Sequence, residues 1–130
     1  MATRPWQHVL EPLSGYLVLA EHLYTEGKSY AEAWNFGPKD EDCKPVSWIL
    51  NKMVVNWPGQ ASWEIDKTDN PHEAGFLKLD CSKAASKLDW QPKWNLDYTL
   101  SKIVNWHQKF LNGSSVQDEC LNEIREYQKF

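Results

Sequence analysis

The stretch RPWQHVLEPL, residues 4–13, decides how the chain is read. Arg4, Trp6 and His8 stand together, and helical spacing starts at once behind them. Leu10, Leu13, Leu17, Ala20 and Leu23/Tyr24 recur at the interval of one helix face. Pro12 sits in the first turn, where a missing N–H costs nothing. Gly27 is placed to stop the helix. The spacing therefore predicts a short strand at Gln7–Val9, then a helix running to about Tyr24.

Working outward, helices alternate with short strand-like runs. Strands are expected at Ala33–Phe36, closed by Gly37-Pro38, at Ala61–Ile65 and at Phe76–Leu79. Lys39–Asp42 reads as a charged loop. A helix is expected from Val46 to Asn56, with Val46, Ile49, Leu50, Met53 and Trp57 on one side, and Pro58-Gly59 ending it. A short helix is expected at Ser82–Leu88, capped by Asp80 or Ser82, followed by an extended connector, Trp90–Trp94. A longer helix runs from Leu96 to about Leu111 with Asn95 as its cap, and its stripe is Leu96, Leu100, Ile103, His107 and Phe110. Cys120, Ile124 and Tyr127 suggest a last helix. The reading is one region, 1–112, and a tail, 113–130. Its class is α/β, with too few strands for a complete doubly wound sheet.

The 130 residues suffice for one domain with a real core. A net charge of −4 argues against a nucleic-acid partner, because phosphate backbones need a basic surface. Eight Trp point to cores, interfaces or stacking surfaces. Three scattered Cys suit free thiols in a reducing cytoplasm, and no apolar run approaches the roughly 20 residues of a membrane span, so the expected location is cytoplasmic.

The chemistry that is missing narrows the function. The six Gly, at 15, 27, 37, 59, 75 and 113, never approach the spacing of a phosphate-cradling loop. The four His are far apart and match no metal-ligand spacing, and His107 reads as a core or boundary histidine. Two Tyr-x-x-x-Lys spacings occur, Tyr24…Lys28 and Tyr98…Lys102. The first straddles Gly27, and the second has no cofactor site beside it, so neither is read as catalytic.

Three stretches look like ligand contacts. Arg4 offers a planar fork that matches a diphosphate, with Trp6 beside it to stack or pack. His72 and Glu73 follow a proline turn in a polar loop. Trp34–Pro38 ends in Gly-Pro, which puts the next loop at a carboxyl edge.

The order of three motifs carries a resemblance. Arg4–Val9, then Asn35–Gly37, then Asp80–Ala84 with Leu88–Pro92, resembles the C-terminal, substrate-binding part of the extended short-chain dehydrogenases that act on nucleotide sugars. Asp89 stands where that family usually has Gly. Within the family the resemblance runs to the branch that dehydrates CDP-sugars, through Arg4–Leu13 and through Pro71–Ala74 with Leu77–Asp80. It implies a nucleotide-sugar ligand such as CDP-glucose. It also implies a full-length enzyme that holds NAD in an N-terminal Rossmann part, oxidises C4, loses water across C5–C6 and returns hydride to C6. The cofactor loop and catalytic groups of the family have no counterpart in these 130 residues, so the chain is expected to bind substrate and to have no activity by itself. The resemblance assigns Arg4 to the diphosphate, with Trp6, His72 and Glu73 near the CDP-sugar. The alternative is a non-catalytic binding or interaction module that pairs with a separate Rossmann half.

Overall fold

A computed structural model describes residues 2–66, 68 and 74–130. Helix α1, Leu10–Glu26, begins where His8 turns the chain. The His8 carbonyl accepts the Glu11 N–H (3.0 Å) and its Nδ1 accepts the Leu10 N–H (3.3 Å), which satisfies amides that have no partner inside the helix. The expected strand at Gln7–Val9 is therefore not formed. The strand lies earlier: β1, Thr3–Pro5, pairs antiparallel with β2, Cys43–Pro45, in the register Thr3↔Pro45, Arg4↔Lys44, Pro5↔Cys43. Gly27 ends α1 at φ 71°, where a side chain would be strained, and one 3₁₀ turn, Gly27–Tyr30, follows.

Helices α2 (Val46–Asn56), α3 (Ser82–Leu88) and α4 (Leu96–Leu111) occupy the expected residues, and α5 spans Val116–Tyr127. Local chemistry explains these starts. Asn95 caps α4 by accepting the Tyr98 N–H, and Ser115 caps α5 by accepting the Asp118 N–H. Asp80, just outside α3, accepts from both the N–H and the hydroxyl of Ser82 (2.9 and 2.6 Å). The expected charged loop contains a 3₁₀ turn, Asp40–Asp42. Buried Asp42 reaches across to accept the Leu96 N–H at the head of α4 (3.1 Å).

The strands expected at Ala33–Phe36 and Ala61–Ile65 are absent among the described residues, and Phe76–Leu79 makes a single bridge, Phe76 to Thr3. Side chains, not strand partners, tie the first segment down. Gln7 donates to the Phe36 carbonyl (2.9 Å), Lys83 to the Ala33 carbonyl (2.8 Å), and Asn35 to the Asp80 carbonyl (3.1 Å).

Among the described residues, two apolar clusters form the core. Phe36, Ala84, Leu88 and Trp90 pack beneath α1, joined by Val18, Leu19 and Trp34. Ile49, Leu96 and Leu100 pack between α2 and α4, joined by Trp6, Trp48 and Met53. The buried side of α1 is not the leucine stripe. It is Glu11 and Gly15, and a Cβ on Gly15 would lie 2.3 Å from the Phe36 ring. Leu13, Leu17 and Tyr24 are exposed instead. The stripe expected for α4 is buried at two of its five positions: Leu96 and Leu100 are buried with Thr99 and Val104, whereas Ile103, His107 and Phe110 are exposed. No helix of the described residues is long and apolar enough to cross a membrane.

Candidate functional site

Arg4 is held by β1. Its Nη1 donates to the carbonyls of Thr3 (3.0 Å) and Ala74 (2.7 Å), and Thr3 itself pairs with Gly75 and Leu77 through their backbones (3.0 and 3.1 Å). The first ligand-like stretch thus meets the end of the second, since Ala74 follows His72 and Glu73 in sequence. His72 and Glu73 lie outside the described residues. Trp6 is half-buried. Its indole N–H goes to the Lys44 carbonyl (2.9 Å) and its ring joins the α2–α4 cluster, so packing accounts for its place.

The third stretch opens onto a cleft of about 560 Å³. Its walls are Gly37–Asp40, Lys78–Ser82 with Ala85, and Trp90–Pro92. The segment from Ala74 to Ser82 joins the two features, for Ala74 takes the guanidinium of Arg4 and Lys78 onward lines the cleft. All three motifs of the resemblance contribute to this joint. Asn35 bonds the Asp80 carbonyl, Gly37 packs where a Cβ would be 3.0 Å from Leu79 and 3.2 Å from the Cys81 sulfur, and Trp90 belongs to the third wall.

The cleft offers binding groups. Lys78 pairs with Asp40 (3.4 Å), leaving a polar rim of mixed sign. The Ser82 hydroxyl and N–H hold the Asp80 carboxyl below its ordinary range, so it stays charged. Burial pushes the Cys81 thiol up, which keeps it protonated and a poor nucleophile. The glycines serve other purposes than a cofactor cradle: Gly15 and Gly37 admit Phe36 and Leu79, while Gly27 and Gly113 follow helix ends at positive φ. The described residues therefore hold no glycine-rich loop at a helix start. Nor do they contain a group of three or more His, Cys, Asp or Glu able to hold a metal.

A buried polar hub stands behind the cleft. Glu11, fully buried, accepts from the N–H groups of Lys93 (3.1 Å) and Trp94 (2.8 Å) and from the Tyr127 hydroxyl (2.6 Å). Ser14 contacts the Tyr127 hydroxyl (3.1 Å) and accepts the Trp90 indole N–H (2.9 Å). Burial and the Glu11 bond push the Tyr127 phenol far above its usual range, so it remains a donor. Neither Glu11 nor Ser14 is prominent in the sequence. Their signal is a polar and small face, Glu11, Ser14, Gly15 and Val18, running beside the leucine stripe.

His8 is buried against the edge of Trp94, with Nε2 3.7 Å from Glu123, and burial lowers its pKa. Tyr98 and Lys102 do meet, because both bond Glu126 of α5. The Glu126 bond raises the Tyr98 phenol, which suits a structural donor and not a base.

Comparison with known proteins finds the chain similar to a dehydratase of a nucleotide-linked sugar. That relative is CDP-glucose 4,6-dehydratase of Salmonella typhimurium (strain LT2), 54% identical over 124 residues, which take in 95% of this chain and 34% of the relative. The chain thus spans about a third of the length of the curated relative it matches. No family model matches it.

Proposed function

We propose that the chain is the sugar-nucleotide-binding portion of a CDP-glucose 4,6-dehydratase and that it dehydrates nothing by itself. The 54% identity across 124 residues carries this reading. In it, Arg4 holds the diphosphate, with His72 and Glu73 toward the CDP-sugar, and the cleft receives part of the same ligand, while Trp6 packs behind them. NAD and the groups that move hydride and protons belong to the two-thirds of the enzyme that this chain does not span. That remainder also covers the open Leu13–Leu17–Tyr24 face of α1, an apolar stripe of the kind soluble proteins bury.

Calorimetric titration of the chain with CDP-glucose, CDP and glucose tests the binding. Saturable heat with CDP-glucose is expected. Arg4→Ala should weaken it about tenfold or more, since a charge-assisted bidentate contact is worth roughly 1.5–3 kcal/mol. No heat with CDP-glucose overturns the binding role, and turnover of CDP-glucose with NAD by the purified chain overturns the division of labour.

A further inference from the structure

We propose that Tyr127 is a positioning residue: from the end of α5 it holds the Trp90–Pro92 wall of the cleft in place, through Trp90 at one end and through Lys93 and Trp94, which follow the other. The inference rests on the reading of the cleft given above. Its warrant is a continuous set of bonds. The Tyr127 hydroxyl donates to Glu11 Oε2 (2.6 Å), and the same carboxylate accepts the N–H groups of Lys93 and Trp94. The Tyr127 hydroxyl also meets Ser14 Oγ (3.1 Å), which takes the Trp90 indole N–H (2.9 Å). Trp90, Gln91 and Pro92 form one side of the cleft, so the wall is held at Trp90 and at the two residues directly after Pro92 by the two groups that Tyr127 touches.

Other bonds keep α5 seated where Tyr127 can act. Glu126 bonds Tyr98 and Lys102, and Lys109 pairs with Glu119 (2.6 Å). The Lys93 ammonium lies over the Tyr127 ring, 4.9 Å from its centre. The tail is thereby tied into the support of the cleft, 116 residues away in sequence from its partner Glu11.

The test is Tyr127→Phe in the 130-residue chain, which keeps the ring and removes one hydroxyl. Hydrogen exchange at the Lys93 and Trp94 amides should rise about tenfold while Val104, in the α2–α4 region, stays unchanged, because only the local opening is affected. CDP-glucose affinity should fall about tenfold in the same variant. Unchanged exchange at Lys93 and Trp94 overturns the proposal, and so does faster exchange with unchanged affinity. Should the unsubstituted chain bind no CDP-glucose, the reading of the cleft's ligand falls, and the exchange data alone still decide whether Tyr127 holds the wall. If Tyr127→Phe does not fold, Ser14→Ala carries the test, with loosening expected at the Trp90 indole N–H.

Discussion

Helices α1 and α4 carry apolar stripes of similar spacing, yet they use them in opposite ways. On α4, Leu96, Leu100 and Val104 are buried, the first two packed with Ile49, and the helix is seated by shape and apolar area. On α1, Leu13 and Leu17 face outward, and the helix is seated by Glu11 and Gly15. One position binds three donors with a carboxylate, and the other lets an aromatic ring touch the backbone. The difference teaches that periodicity locates a helix without saying which face is committed. A face of small and polar residues can be the packed one when its hydrogen bonds are complete.

The strongest way to break the comparison is Glu11→Ala. It leaves the Lys93 and Trp94 amides and the Tyr127 hydroxyl without their acceptor in a buried site. Stability should fall by about 4 kcal/mol, since each unsatisfied buried polar group costs roughly 1–3 kcal/mol and the losses overlap. Denaturant unfolding followed by Trp fluorescence measures it, and a cost below that of the apolar counterpart would reverse the ranking of the two helices. That counterpart is Leu100→Ala, 4% exposed in the α2–α4 cluster. It should cost about 3 kcal/mol through lost transfer energy and the cavity left behind.

The same contrast explains what the sequence could tell. The boundaries of α2, α3 and α4 were legible because capping chemistry and spacing are local, as with Asn95 before Leu96. The strand at residues 3–5 was not, because it depends on pairing with Cys43–Pro45 forty residues on. Ala33–Phe36 looked like a strand because apolar and aromatic residues suit one, but its carbonyls are taken by Gln7 and Lys83. For the candidate site, Arg4 and the Trp34–Pro38 loop could be picked out by residue type. Glu11 and Tyr127 could not, since their meaning arises only when residues 116 apart in sequence touch. The packing of Trp6 was equally hidden, for an indole reads alike as core and as stacking surface.

The smallest expected effect sharpens the comparison furthest. Leu17 is 73% exposed and Tyr24 92% exposed, so in this chain the stripe of α1 gains little from folding. Leu17→Gln should change stability by less than about 0.5 kcal/mol, the usual range for a surface position. It should also reduce self-association at high concentration, which sedimentation would show, because it interrupts a contiguous apolar patch. The corresponding substitution in a full-length enzyme should cost more than about 1 kcal/mol if the remaining two-thirds covers this face, since burying a leucine is worth roughly 1.5–3 kcal/mol. Equal and negligible costs in both contexts would mean that the stripe stays open in the whole enzyme. A large cost already in the short chain would mean that α1 commits its leucine face after all, and the distinction between the two helices would disappear.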